Sequence, residues 1–178
     1  MIQDLCNIGH EHHIDTFYKV AVFEATQMPS FNHLTSDALV EDMITNLPDT
    51  SQVFLANLLF NNIKVSHGTK VNADGKLFAT DVSFVLTPQD KNLQALLDQY
   101  NNQEVIILVS KRNTSHLYGT SDQPLLFTYN ELNSPLPNVL KGYTVQMSGD
   151  GFGSSKLFEE VDFNIYQRGL AFELAQEI

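Results

Sequence analysis

Apolar residues recur at every second position in short runs along this chain, and turn residues separate the runs. In Lys76 to Thr87 (KLFATDVSFVLT), Phe78, Val82, Phe84 and Leu86 share one face while Asp81 and Ser83 share the other. Successive side chains of an extended chain point to opposite faces, so this segment reads as a half-buried strand. Tyr143, Val145 and Met147 alternate in the same way within GYTVQMS, as do Val161, Phe163 and Ile165 further on. Phe17 to Ala25 (FYKVAVFEA) is rich in aromatic and β-branched residues and stops before a Pro-containing turn, and Leu125 to Tyr129 is a further short strand. Glu104 to Ser110 (EVIILVS) is apolar on both faces, as a central strand would be, and Lys111 to Ser115 turns the chain back through His116-Leu117-Tyr118-Gly119.

The period changes after Thr87. Thr87 suits an N-cap, Pro88 the first helical position and Asp90 the capping-box acid, and Leu93, Leu96, Leu97 and Tyr100 form one stripe that ends at Asn101-Asn102. A helix is expected over about 89–101. Asp37 to Thr45 (DALVEDMIT) fits either period; its short length, and the strand-like Ser51 to Val65 beyond the Leu47-Pro48-Asp49 turn, favour a strand. Ser66 to Gly75 (SHGTKVNADG) is polar and ends on Asp-Gly, so it is expected to be a loop between strands. The expected fold is mainly β (α+β): an antiparallel β-barrel or sandwich with one internal helix, residues 16–178 forming a single domain behind an N-terminal arm, 1–15.

Charge narrows the function classes. The 178 residues carry 10 Lys+Arg against 21 Asp+Glu, a formal net charge of −11. Residues 1–60 hold eight acids and one base, net −7; residues 61–178 hold thirteen and nine, net −4. That balance opposes a tight grip on nucleic-acid phosphates and docking on an anionic membrane surface. One cysteine, Cys6, excludes an intrachain disulfide and points to a reducing compartment. The start, with Asp4 where a signal peptide needs positive charge, argues against export by that route.

No arrangement announces a reaction. His10-Glu11-His12-His13 has metal-ligating side chains, but no distant second ligand pair accompanies it, and an arm is the better reading. Asn72-Ala73-Asp74-Gly75 lacks the first carboxylate and the closing Glu of a calcium loop. Gly149-Asp150-Gly151-Phe152-Gly153 follows a strand without leading into a helix, so it is read as a flexible loop rather than a phosphate cradle. No nucleophile motif occurs, Glu159-Glu160-x-Asp162 reads as a solvated edge, and no catalytic, metal or cofactor residue is assigned.

Read in order, FYKVAVFEA, ALVEDMITNLPDTSQVFLANLLF, KLFATDVSFVLTPQDKNLQALLDQY, EVIILVSKRNTSHLYGTSDQPLLF and GYTVQMSGDG resemble a group of prophage-encoded virion structural proteins of the tail-tube or tail-component kind, over residues 16–156. The resemblance implies a non-enzymatic protein that assembles into a homo-oligomeric ring, partnered by itself and by other tail proteins, first in a bacterial cytoplasm and then in a virion or tail-like particle. DNA would be at most a passing cargo, which an acidic lumen lets slide. Inter-subunit contacts are then expected in the arm and the two glycine-containing loops, at His67, Lys70, Asn72, Asp74, Asp150 and Phe152. The alternative is a small-molecule or carbohydrate-binding β-barrel whose interior is lined by aromatics such as Phe78, Phe84 and Tyr143.

Overall fold

A computed structural model describes residues 17, 19–47, 53–57, 63–72, 75–87, 89–111, 114–132, 141–159 and 171–174. The expected strand over Val161–Ile165 and the His10–His13 group lie outside them.

The doubly apolar segment becomes β5 (Glu104–Ser110), and the fold is arranged around it. On one side β5 pairs antiparallel with β1 (Lys19–Glu24). Its other side is shared: β7 (Leu125–Leu132) takes Glu104 and Val105, and β6 (Thr114–Tyr118) takes Ile107 to Ser110. The sheet therefore forks beside Ile106. One branch continues through β6 to β9 (Lys156–Glu159). The other continues from β7 to β8 (Gly142–Gly151), β4 (Gly75–Leu86) and β3 (Lys64–Asn72). Beyond β1 lies β2 (Val53–Asn57), and β10 (Ala171–Leu174) adds to β2 in parallel. All other pairings are antiparallel. The ten-stranded sheet is not closed into a barrel; it bends over its own interior in a sandwich-like way.

Two cores flank the β1–β5 layer. Val20, Val22, Val105, Ile107 and Val109 face the interior of the bend, where they meet Phe84, Leu86, Phe127, Val145 and Met147 of the opposite branch. The helix expected at 89–101 is α2 (Lys91–Tyr100), and it drops Leu93, Leu97 and Tyr100 into the same core. The Tyr100 ring lies between Phe54 and Phe127, at centroid distances of 5.9 and 5.7 Å. Its N-cap is Asp90, whose carboxylate accepts the Asn92 N–H at 3.2 Å, so helix entry is three residues later than the Thr87 cap expected from the sequence. After the helix, Asn102 takes a positive φ of 61° and donates its N–H to Phe127 O, tying the helix end to β7.

Ala21, Phe23, Ile106 and Leu108 point the other way and need a second cover. This overturns the strand expected at 37–45. Asp37–Thr45 is a helix, α1, whose Val40 and Ile44, one turn apart, are buried on that far face with Met28, Phe31 and Leu47. Both periods were present in the segment, and the unmet apolar face of β1 and β5 selects the helical one. Each fully buried aliphatic side chain contributes roughly 1.5–3 kcal/mol, so the five consecutive buried residues Val105 to Val109 form the energetic centre of the fold.

Two expected loops are also corrected. Ser66 to Asn72 belongs to β3, paired residue for residue with β4 from Lys64↔Ser83 to Asn72↔Gly75. Its polarity reflects the position of β3 beside one neighbour among the described residues, not irregular backbone. Gly149 to Gly151 likewise remains in β8, opposite Thr80 to Phe78. At the start of β8, Gly142 lies so close to β4 that a Cβ would sit 2.2 Å from Leu86 O, which admits no side chain.

Candidate functional site

The polar groups of the interior converge at one end of the bend, around His67. Pairing with Thr80 sets His67 on the inner face of β3, where its ring stacks on Phe78 (5.4 Å, 8° between planes) and leans on Tyr118 of β6 (5.3 Å). Tyr118 in turn stacks on His116, and His116 meets Phe17 edge-on. The result is a row of five rings from Phe17 to Phe78, with Lys111 4.9 Å from the Phe17 centroid and Lys76 5.3 Å from that of Phe78. The row joins β3 to β6, two strands that share no backbone pairing.

Both nitrogens of His67 are engaged. Ser155 N–H donates to Nε2 at 3.3 Å, which requires a bare nitrogen there. The ring proton therefore sits on Nδ1 and is donated to Thr80 Oγ1 at 2.8 Å. The Ser155 side chain hydrogen-bonds Tyr118. Burial lowers the His67 pKa and raises that of Tyr118, because each charged form loses hydration. Ser155 presents its backbone to His67, so the pair is a structural clasp rather than a nucleophile with its base.

Residues 152–155, between β8 and β9, form a strap held at two further points and by Lys156 just beyond it. Phe152 N–H donates to Gln123 Oε1 at 2.8 Å, and the Phe152 ring, 60% exposed, leans on His33 at 6.4 Å. Gly153 passes so close to His33 that a Cβ would lie 2.3 Å from the His33 Cβ. Lys156 Nζ, on a side chain 10% exposed, donates to Thr35 O (2.5 Å), Asp37 Oδ1 (2.9 Å) and His33 O (3.5 Å), joining the start of β9 to the entrance of α1. The space left among these groups is about 30 Å³, enough for a water molecule.

Of the sequence-named contact residues, His67 is half-buried at the centre of this cluster, and Asp150 and Phe152 lie on the strand and strap beside it. Lys70 is exposed on β3 and pairs with Asp150 at 3.5 Å. Asn72 ends β3 opposite Gly75, and Asp74 lies outside the described residues. Thr80, Tyr118, Ser155 and Lys156, which complete the cluster, were not singled out from the sequence. His67 and Ser155 are 88 positions apart, and no local pattern links them. Phe84 and Tyr143, named as possible cavity lining, are buried in the core, and Phe78 is covered by His67.

Among the described residues, no three His, Cys, Asp or Glu side chains form a group that could hold a metal ion, and no helix is long and apolar enough to cross a membrane. No protein-family model, curated protein or solved structure matches the chain.

Proposed function

We propose that the protein is a non-enzymatic structural subunit that assembles with copies of itself into a ring or stacked rings, as a component of a phage tail or tail-like particle. One observation carries the assembly part of this reading. β3 is a nine-residue strand that pairs with β4 along one side and, among the described residues, with nothing along the other. A long edge without proline is a template for another strand or surface. Lys64, Lys70 and the 79%-exposed Val71 lie on it; Lys70 is paired with Asp150 of β8, and the strand itself carries no acid in a chain of net charge −11.

The charge selects the geometry of contact. Edge-to-edge pairing of two β3 strands would bring lysines against lysines, whereas an acidic surface of a second copy would complement them. Such a contact is head-to-tail, and head-to-tail contacts build rings when the rotation closes. The tail-component assignment itself rests on the order of sequence segments given above, and an acidic assembly would let DNA pass without holding it.

The test is light scattering after size exclusion, across a wide range of protein concentration, with negative-stain images of the largest species. The expected result is a closed oligomer that Lys64→Glu/Lys70→Glu dissociates while leaving the circular-dichroism spectrum unchanged. A chain that stays monomeric at every concentration, or an oligomer indifferent to the charge reversal, overturns the reading.

A further inference from the structure

We infer that His67 is a protonation-sensitive latch: the neutral imidazole holds the strap 152–155 against β3 through the Ser155 N–H, and the imidazolium releases it. This inference concerns the fold of one chain and goes beyond the assembly reading, since it holds whether or not β3 recruits a copy.

The chemistry follows from the two hydrogen bonds. Nε2 can accept from Ser155 N–H only while it carries a lone pair. Adding a proton to Nε2 sets two donors facing each other at 3.3 Å, and Nδ1, already protonated and donating to Thr80, has no lone pair to offer instead. The flanking Phe78 and Tyr118 rings can attract the new charge through their faces, but neither offers the new N–H an acceptor in the place of Ser155.

Charged and titratable groups face His67 from every neighbouring element. From β4, Lys76 lies over the far side of the Phe78 stack. From β6 come Tyr118 and, behind it, His116. From β8, Asp150 borders the same cavity, but register places its side chain on the outer face of the sheet, where it pairs with Lys70 of β3. From the far side of the strap come His33 and Lys156, the latter held by Asp37. The Asp150 carboxylate is therefore no counter-ion for an imidazolium, and Lys76 and Lys156 oppose one.

The sign of the pH dependence is fixed by this environment. Burial holds the His67 pKa below 6.5 in the latched form, and release returns it toward that value. The open form therefore binds the proton more readily, so latching is complete above about pH 6.5 and is lost progressively as pH falls through the lowered latched-state pKa. Release frees the strap from β3 but leaves its Lys156 and Gln123 anchors, so the opening is local and the two cores stay intact.

The experiment is a pH titration of the full chain, isotopically labelled, in which the His67 ring nitrogens and the amide exchange of Phe152 to Lys156 are followed together by NMR. At neutral pH the ring should show the Nδ1–H tautomer. Exchange at Ser155, corrected for its intrinsic pH dependence, should rise at least tenfold as His67 protonates. His67→Gln should abolish that transition, and His33→Gln should leave it unchanged. An Nε2–H tautomer, flat corrected exchange through the His67 titration, or a transition that follows His33 instead overturns the inference. If His67→Gln does not fold, the tautomer and the wild-type exchange profile decide by themselves.

Discussion

β5 and β3 are strands of similar length in one sheet, and they do opposite work. β5 has neighbours on both sides and apolar residues on both faces, so its sequence reports burial alone. β3 has one neighbour among the described residues, carries Lys64, Lys70 and Val71 in solvent, and sends His67 inward to a built polar cluster. Stability is concentrated in the first strand and conditional contacts in the second. A strand that both anchors a fold and answers to its surroundings would compromise each task.

The sharpest way to break this contrast is to truncate both strands. Ile107→Ala should cost about 3 kcal/mol in chemical denaturation, through lost transfer energy and the cavity left behind. Val71→Ala should stay within about 0.5 kcal/mol. Equal effects would show that β3 carries more of the core than its exposure indicates.

The next contrast is between two polar pairs, one buried and one half-buried. Ser110 at the end of β5 and Ser115 of β6 share a hydroxyl–hydroxyl bond at 2.9 Å, directly opposite in register. Ser110→Ala should cost about 1–2 kcal/mol by leaving Ser115 unpaired, and adding Ser115→Ala should cost little more. Thr80→Val at the His67 pair should cost roughly 1 kcal/mol but should also disturb the His67 tautomer, which the serine pair has no means of doing. A double-mutant cycle and the ring-nitrogen shifts check the two cases.

A smaller effect belongs to the solvent side of α2, where Tyr129 donates its hydroxyl to Asp98. That bond, which needs the neutral phenol, together with partial burial pushes the Tyr129 pKa up to about 12. A group whose folded pKa is raised stabilises the fold below its unfolded pKa, near 10, and loses that contribution as pH climbs toward 12. Asp98→Asn should bring the phenolate absorbance transition back toward ordinary tyrosine, with Tyr129→Phe as the reference, and should change stability at neutral pH by less than about 1 kcal/mol.

How much of this was legible in the sequence depended on whether the signal was local. β5 was readable because burial on both faces leaves one pattern, and α2 because its stripe and polar start agree; its cap moved to Asp90 since either of two suitable residues can fill that role. α1 was not readable, because Val40 and Ile44 satisfy both periods and the apolar back of β1 and β5 decides between them. β3 reads as a loop in the sequence because a strand with one neighbour among the described residues and a face in solvent has the composition of a turn. At the site, His67, Asp150 and Phe152 were named for their segments, whereas Ser155 and Lys156 act through backbone and long-range bonds that leave no trace in spacing.

The parallel pairing of β10 with β2 has a consequence for synthesis. Val53 is made well before its partner Ala171, so one flank of β2 stays open while the intervening segment is synthesised. Non-local pairings of this kind close slowly. A chain that folds as it is made would thus expose one side of an apolar strand until β10 is available to cover it.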